Sequence, residues 1–448
     1  MDSKLVDLTN KLLKESQKAG AHAADVITIR DTSTSVNVLN GSIEKTERSE
    51  TLKIGLRVII NNKQVCVESS LLDDFSLQES ARKAVAMANE VVGDPFIGLA
   101  SKEQIASDEK IETLELSESQ QEPKIESLEN LALRTENSAL KIKGVIKTQS
   151  ATAFYTKREL YLSATNGFSG GYYKTLNGLF CDAIVGTGAQ MERDSFADTR
   201  THRSDLFSPE TVGEKAGIRA RKRENPRKPK TGYYPVLFDK RISSSLVSHL
   251  LTAVDGTSIT QGTSWARNLL GKPILPTNLS LIENPRKKRS FASRPFDVEG
   301  LASRKRNIVK NGTLESWTLD LATARKLNLK STSNASRGAA SPPRPSITNT
   351  VLTGGNNSFK DLVQKMHAGL LVTSMIGLTI NQNTGDYSRG ISGFWVEDGE
   401  VKYPVNECTI AGNLKEIFSF ILAGNDAEPY KNISTPSLLI EGMTIAGK

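Results

Sequence analysis

The chain has 448 residues, of which 38% are hydrophobic, and its 58 Lys and Arg against 50 Asp and Glu give a formal net charge of +8. This length exceeds what one hydrophobic core usually serves, so we expect two or three domains. The sequence contains no run of about 18 apolar residues, which excludes a membrane-spanning helix. Its first residues lack the apolar segment of a signal peptide, so we expect a cytoplasmic protein.

Residues 1–93 predict a helix, an antiparallel meander and a second helix. Leucines at helical spacing open the chain, and Gly20 marks the end of the first helix. Residues 25–70 are rich in β-branched side chains, and two turn signals divide them into strands: Asn40-Gly41 and Asn61-Asn62. Ser76 and Glu79 have the spacing of a capping box, so we expect the second helix to run from there to Gly93.

The same order of elements recurs after a polar connection at residues 94–122. A helix is predicted from Ile125, and a helix capped by Ser208-Pro209-Glu210 runs to about residue 223. Between them lies a second meander with two turn signals, Asn166-Gly167 and Asn177-Gly178. We infer an internal structural duplication with repeats at residues 1–93 and 123–224, visible in the pattern of elements and not in the sequence itself.

A basic, proline-broken segment at residues 219–230 separates this half from a more strand-rich and glycine-rich remainder. We therefore predict an α+β fold, with an N-terminal α+β domain at residues 1–230 and a C-terminal, antiparallel β-rich domain with a few helices at residues 231–448. The elements expected in the second domain are a strand at 234–238, a helix at 243–254, a hairpin at 308–317 turned by Asn311-Gly312, a loop at 331–345 and a helix at 414–422.

Residues 384–400 stand out as a candidate site. Three glycines there lie beside charged and aromatic residues, so the backbone can approach another chain closely; they are Gly385, Gly390 and Gly393. Asp398-Gly399 then predicts a turn into a strand at residues 401–405, which Pro404 would confine to a sheet edge. On composition alone the stretch is more simply explained as a structural glycine-rich turn that feeds a hairpin.

Several other blocks accompany this stretch, in a fixed order from about residue 233 onward. They are Gly262-Thr263-Ser264, Ser293-Arg294-Pro295-Phe296-Asp297 with Glu299-Gly300, Ala335-Ser336-Arg337-Gly338, Pro345-Ser346-Ile347-Thr348-Asn349, and residues 406–415 and 441–447. Together with residues 384–400 they resemble the PmbA (TldE) branch of the TldD/PmbA family. The N-terminal half matches this family more loosely.

The resemblance implies the scaffold of a zinc peptidase, yet the metal-binding motif is missing. Active TldD members of the family carry a helical His-Glu-x-x-x-His motif and a further cysteine ligand near the C-terminus. The corresponding segment here is similar to residues 244–263, where His249 is followed by Leu250 and has Val254 five positions on. Both the glutamate and the second histidine are therefore absent, and no cysteine lies beyond Cys408. We expect neither a metal nor a cofactor.

The remaining histidines and the cysteines are scattered along the sequence. His22, His202 and His367 have no second histidine at helical spacing, so an unconventional metal site built from them stays open only as an alternative. The three cysteines, Cys66, Cys181 and Cys408, lack the paired spacing of a zinc site, and we expect buried free thiols.

Other kinds of site have weak support in the sequence. Residues 390–394 only approach the Gly-x-Ser-x-Gly elbow of a serine hydrolase, and no Gly-x-x-x-x-Gly-Lys-Ser/Thr phosphate loop is present. Basic runs at residues 219–230, 286–289 and 304–306 could neutralise phosphates, but few aromatic residues accompany them, so we expect solvated loops. The historical label of this family as a modulator of DNA gyrase therefore needs no direct contact with DNA.

The tripeptide Ser-Arg-Gly occurs at residues 336–338 and again at 388–390, each time in a predicted flexible loop. An arginine beside accessible backbone amides could hold a carboxylate or a peptide carbonyl. An arginine that ties its own loop to the domain is an equal alternative. The candidate contacts to a peptide or a partner are Ser336, Arg337, Asp386, Arg389, Gly390, Gly393, Phe394 and Trp395, and no residue is assigned a catalytic or metal-binding role.

The resemblance and the missing ligands together predict a catalytically silent partner subunit of a TldD-type metallopeptidase complex. The family implies that such a complex processes or degrades small, flexible polypeptides, including peptide-antibiotic precursors and antitoxins. The expected partner is a TldD-like subunit, or a second copy of this chain, held by an interface that includes Phe394 and Trp395; we expect neither membrane nor direct nucleic-acid binding. An autonomous peptidase with an unrecognised site and a gyrase-associated or nucleic-acid-binding protein remain as alternatives.

Overall fold

The computed structural model describes residues 2–107 and 114–448, apart from the side chains of residues 378 and 379. Residues 108–113, in the middle of the predicted polar connection, lie outside the described residues. The α+β prediction is confirmed. In the first half, groups of antiparallel strands lie between helices, and strands dominate the second half. Among the helices of the described ranges, none combines the length and the apolar character needed to traverse a bilayer.

The first of the two expected repeats, called the first repeat below, has the predicted order of elements. It consists of α1 (Ser3–Lys18), β1 (Ala23–Leu39), β2 (Ser42–Ile60), β3 (Lys63–Ser69) and α2 (Asp74–Glu90). Asn40 and Gly41 both have positive φ in the turn between β1 and β2, the conformation that this dipeptide favours. The predicted capping box of α2 is wrong. Asp73 caps the helix instead, accepting a hydrogen bond from the Ser76 N–H at 3.0 Å, because an aspartate three residues earlier already satisfies the free amides.

The second repeat consists of α3 (Ile125–Leu140), β4 (Val145–Ala164), β5 (Ser169–Val185), β6 (Glu192–Arg200) and α4 (Pro209–Arg221). Ser208 caps α4 as expected. The turn predicted at Asn177-Gly178 is wrong, since both residues lie inside β5. The ring of Phe154 covers Gly178, where a Cβ atom would lie 2.2 Å from a ring carbon. Glycine is therefore required at this position for close approach and not for a reversal of the chain.

The two repeats share one antiparallel sheet with the strand order β3-β2-β1-β4-β5-β6. They join where β1 pairs with β4, from Asp25 opposite Ala164 to Val38 opposite Ala151. One face of β1 packs against the helices, α1 and α2 at its start and α3 and α4 at its end. On the opposite face, Ile27 packs against Phe296 and Val298, so this side of the sheet carries the C-terminal half.

The C-terminal half contains many short elements and a few long strands. They are β7 (Gly232–Phe238), α5 (Ser243–Ala253), α6 (Gly256–Thr260), β8 (Ser280–Glu283), β9 (Arg306–Lys310), β10 (Thr313–Leu314), α7 (Leu321–Lys326), β11 (Ala335–Ser336), β12 (Arg344–Pro345), β13 (Thr350–Thr353), α8 (Phe359–Met366), β14 (Gly369–Ile380), β15 (Asp386–Glu397), β16 (Glu400–Asn413), α9 (Leu414–Ser419), β17 (Leu422–Ala423), β18 (Ile433–Ser434) and β19 (Leu438–Ala446). The predicted hairpin at Asn311-Gly312 is present as β9 and β10. The last predicted helix is too long, because Leu422 already lies in β17.

The long strands close into a ring. β7, β14, β15, β16 and β19 are neighbours in turn, and β19 pairs with both β16 and β7. β7 and β14 run parallel, whereas the other pairs of the ring are antiparallel. Pro404 pairs with Phe394 of β15 on one side of β16. On the other side, β16 pairs with β19 only from Thr409 onward, so Pro404 lies outside that pairing. Buried side chains of these strands and of α5 form the largest apolar core, which therefore positions α5 against the ring.

Candidate functional site

Helix α5 is the segment in which the zinc ligands of the resembled family would lie. Leu246, Leu250 and Val254 recur at helical spacing and are buried in the main core. His249 is half-buried beside Tyr387 of β15, with 5.8 Å between the two ring centroids. Its Nε2 has no hydrogen-bond partner among the residues that the structure describes. Burial and then the positive charge of Arg389 lower the pKa of His249 to about 4, so the ring is neutral at physiological pH.

Arg389 reaches the same place from β15. Side chains alternate along this strand, so Arg389 lies on the core-facing side together with Tyr387 and Ile391. Only 9% of Arg389 is exposed, and its Nε has no hydrogen-bond partner in the described part of the chain. Within residues 2–107 and 114–448, no carboxylate forms an ion pair with it. A buried guanidinium without a counter-ion is energetically costly. The buried Arg294 also has no carboxylate in an ion pair among the described residues, but it donates to the carbonyls of Ala335 and Ser346.

A zinc ion does not fit the surroundings of His249. Structural and catalytic zinc sites use at least three His, Cys, Asp or Glu ligands. The described part of the chain contains no group of three such side chains placed to hold a metal. The groups that act on the His249 ring are Tyr387 and the cationic Arg389, and a fixed positive charge there opposes the binding of a divalent cation.

The other scattered residues have separate environments. His202 makes a 2.9 Å hydrogen bond from its Nε2 to the backbone carbonyl of Glu115, and His367 ends α8. Cys181 and Cys408 are buried free thiols as predicted, whereas Cys66 is half-buried. Burial raises the pKa of Cys408 to about 11, so its sulfur is a thiol and not a metal-binding thiolate.

The first Ser-Arg-Gly tripeptide lies at a strand and not in a free loop. Ser336 belongs to β11, and the Arg337 side chain is 0% exposed. The Nη2 of Arg337 donates to the carboxylate of Asp25, which also accepts from the Nε of Arg57. Arg337 therefore ties the C-terminal half to β1 of the N-terminal sheet and is closed to a ligand.

Most of the candidates between residues 384 and 400 also serve the fold. Asp386 accepts hydrogen bonds from Thr384 and Asn413 at the exposed start of β15. A Cβ at Gly393 would lie 1.9 Å from the Leu371 carbonyl oxygen. Glycine at this position therefore allows the backbone of β14 to approach closely. Trp395 is 8% exposed and packs edge-on against Tyr234, and the half-buried Phe394 packs with α8. The ring of Trp395 thus lies in the core of the chain and not on its surface.

Arg389 differs from the other candidates because it lines a cleft between the two halves of the chain. The cleft has a volume of about 530 Å³ and is bounded by β6 and α4 on one side and by α5, β14 and β15 on the other. Arg219 and Arg241 line it as well. These two residues were not among the candidates, because they lie far apart in the sequence. The basic run at residues 219–230 was a signal for Arg219, whereas no predicted feature included Arg241.

Comparison with family models covers nearly the whole chain. Models described as PmbA/TldA metallopeptidase domain 1, central domain and C-terminal domain match residues 24–88, 103–224 and 231–447, respectively. "Metalloprotease PmbA" of Escherichia coli is 33% identical over 99% of this chain and 98% of its own length. A "Metalloprotease PmbA homolog" of Haemophilus influenzae is 33% identical over 96% of this chain and 93% of its own length.

Solved structures share the fold. A putative modulator of DNA gyrase from Bacteroides thetaiotaomicron superposes with a TM-score of 0.91 at 23% identity and covers 99% of both chains. TldE from Thermococcus kodakarensis superposes with a TM-score of 0.85 at 19% identity, over 98% of this chain and 100% of its own.

Proposed function

Because the chain belongs to the PmbA/TldD metallopeptidase family, in its PmbA (TldE) branch, we propose that it is the non-catalytic partner subunit of a TldD-type zinc metallopeptidase complex. The complex processes or degrades small, flexible polypeptides in the cytoplasm. The zinc chemistry belongs to a sister subunit that carries the His-Glu-x-x-x-His motif, and this chain completes or shapes the site of that sister. In the absence of the sister, the chain pairs with itself.

The environment of His249 carries this proposal. Its helix is retained and packed in the core, but the residues that follow His249 on α5 are the apolar Leu250 and Leu251, in place of a carboxylate. The charge beside the ring is that of Arg389. A zinc peptidase needs a carboxylate next to a metal-bound water, so this geometry supports a scaffold that has been kept for assembly and not for its own hydrolysis.

Autonomous peptidase activity is the competing proposal, and the names of the two relatives favour it, since both are called metalloproteases. Such an activity would need a site other than α5. A nucleic-acid-binding role has less support. Arg289 of one basic run pairs with Glu115 and Asp205, and Arg306 of another pairs with the buried Glu283, so these cations are already engaged within the fold.

Co-expression with a sister that carries the zinc motif tests the proposal. The tagged chain and the untagged sister are produced together and separately, purified through the tag, and assayed on an unfolded peptide with and without a chelator. We expect the sister to co-purify and the complex to cleave in a chelator-sensitive manner, whereas the tagged chain alone does not cleave. His249→Gln in this chain leaves the complex active, and substitution of the motif glutamate in the sister abolishes cleavage.

The possible outcomes separate the competing functions. Chelator-sensitive cleavage by the purified chain alone would replace the partner proposal with the autonomous peptidase. A sister that neither co-purifies nor gains activity would refute the partner proposal. Salt-dependent binding of DNA by the chain at physiological ionic strength would instead favour the nucleic-acid role.

A further inference from the structure

The cleft lined by Arg389, hereafter the arginine cleft, has an excess of positive charge. Its volume of about 530 Å³ is in the range that binds a small ligand or a few residues of a peptide. Four cationic side chains but only two carboxylates line it: Arg219, Arg241, Arg389 and Lys431 against Asp194 and Glu428.

Both carboxylates of the arginine cleft are already engaged. Asp194 accepts a hydrogen bond from the Nε of Arg223 at 2.6 Å and another from Nη1 of Arg241 at 3.1 Å. Burial alone would raise the pKa of Asp194, but the charges of the two arginines outweigh it and hold the pKa below its usual range. Glu428 pairs with the Nζ of Lys431 at 2.8 Å. Within the described residues neither carboxylate forms an ion pair with Arg219 or Arg389, although the charges of Asp194 and Glu428 partly offset the effect of burial on the pKa of Arg219.

Two arginines of the cleft therefore form no ion pair with a carboxylate within residues 2–107 and 114–448. Arg389 is more than nine-tenths buried and its Nε is unsatisfied. Arg219 donates from Nη1 to the carbonyl of Ser195 at 2.9 Å, and its guanidinium lies over the ring of Phe196, 4.7 Å from the centroid. Burial and then the charge of Arg241 lower the pKa of Arg219. A cleft lined by two such cations is expected to receive an anion.

We propose that the arginine cleft binds a carboxylate of a polypeptide, with Arg389 and Arg219 as its cationic ligands. The planar guanidinium presents its N–H donors in a fork that matches the two oxygens of a carboxylate. The rings of Phe196 and Tyr430 also line the cleft and offer apolar contact to the side chain next to that carboxylate. The inference rests on the proposed function, because that function makes a polypeptide the ligand of the complex.

Fluorescence anisotropy with the isolated full-length chain tests this proposal. Three labelled peptides share one sequence without Asp or Glu, except that the first has a free C-terminus, the second has a C-terminal amide, and the third has the amide and one internal Glu. We expect the free acid or the Glu peptide to bind at least tenfold more tightly than the plain amide. The free acid would identify a terminal carboxylate, and the Glu peptide would identify a side-chain carboxylate.

Variants locate the binding in the arginine cleft. Arg389→Gln and Arg219→Gln are each expected to abolish the difference between the acidic peptide and the amide. Arg82→Gln, on the surface of α2 with its side chain 70% exposed, removes the same charge outside the cleft and leaves the difference intact. Arg389→Lys keeps the charge but not the fork, so its binding is intermediate.

Further controls keep the test decisive. The melting temperature of each variant verifies folding, and Arg219→Gln decides the question if Arg389→Gln does not fold. Acetate is added as a competing carboxylate. Equal binding of all three peptides, or a failure of acetate to displace the acidic peptide, would overturn the proposal. Binding of inorganic phosphate without any preference among the peptides would overturn it in favour of a phosphate site. Because the sister subunit is not needed here, failure of this assay leaves the co-expression result standing, and the reverse also holds.

Discussion

The buried contact between the two halves at Asp25 gives the sharpest test of the structure. Asp25, Arg57 and Arg337 have side chains that are 2%, 3% and 0% exposed, and the single carboxylate accepts from both guanidinium groups. Asp25→Asn removes the negative charge and leaves two buried cations. Breaking a buried ion pair costs about 3–5 kcal/mol, and because Asn retains one oxygen acceptor we expect a value of about 3 kcal/mol.

Asp31→Asn is the matched control for this change. Asp31 lies on the same strand, β1, and pairs with Arg158, but the two side chains are 31% and 44% exposed. Solvent screens such a pair, so its loss costs less than about 1 kcal/mol. For a folding unit of about 200 residues, 3 kcal/mol corresponds to a decrease of about 6–12 °C in the melting temperature.

Differential scanning calorimetry of both variants, combined with limited proteolysis, measures the effect. We expect Asp25→Asn to melt well below the wild type and to be cleaved faster near the contact between the halves, whereas Asp31→Asn behaves as the wild type does. Equal melting temperatures for the two variants would refute the reasoning, since that result would mean that the buried charge is compensated in some other way.

Three further predictions concern metal, packing and pH. Elemental analysis of the purified chain is expected to find no stoichiometric zinc, because the described residues contain no group of three His, Cys, Asp or Glu side chains that could hold it. One tightly held zinc per chain would contradict this. Gly393→Ala is expected to cost about 3 kcal/mol or more in urea unfolding, because its Cβ would lie 1.9 Å from a backbone oxygen. Gly390→Ala, with 3.4 Å of room, is the tolerated control, and similar midpoints for the two would argue against the close approach. Burial, followed by the charges of nearby arginines, lowers the pKa of Lys174 from 10.5 to about 7, so the unfolded chain binds the extra proton and stability rises with pH between these values. Lys174→Met should therefore raise the melting temperature relative to the wild type more at pH 6 than at pH 10, and a gap that does not change with pH would exclude this titration.

Local signals in the sequence were sufficient wherever a single residue type determines the backbone. Asn40-Gly41, Asn166-Gly167 and Asn311-Gly312 were predicted as turns, and the structure places each of them between two paired strands. Asn177-Gly178 carries the same signal and fails, because the ring of Phe154 on the neighbouring strand needs the space that glycine leaves. That contact is made across the sheet, so no window of neighbouring residues could have revealed it.

The arginine cleft illustrates the same limit for function. Arg389 was singled out because it lies in a glycine-rich block, although the prediction placed it in a flexible loop and the structure places it in β15. Arg219 joins it only because β6 and α4 lie across the cleft from β14 and β15, and Arg241 joins it from the turn between β7 and α5. The absence of zinc ligands after His249 could be inferred from spacing along one helix, whereas an anion site drawn from three elements has no linear pattern.

The closure of the ring also constrains how the chain can fold during synthesis. Gly232 at the start of β7 pairs with Ile445 in β19, so the first and last strands of the ring are separated by more than two hundred residues of sequence. The last strand of the N-terminal sheet, β6, ends at Arg200. This sheet can therefore form before the C-terminal half has been synthesised. The ring, in contrast, cannot close before residue 445 has emerged. Until then its apolar strands lack their final neighbours, and such unpaired strands are prone to aggregation.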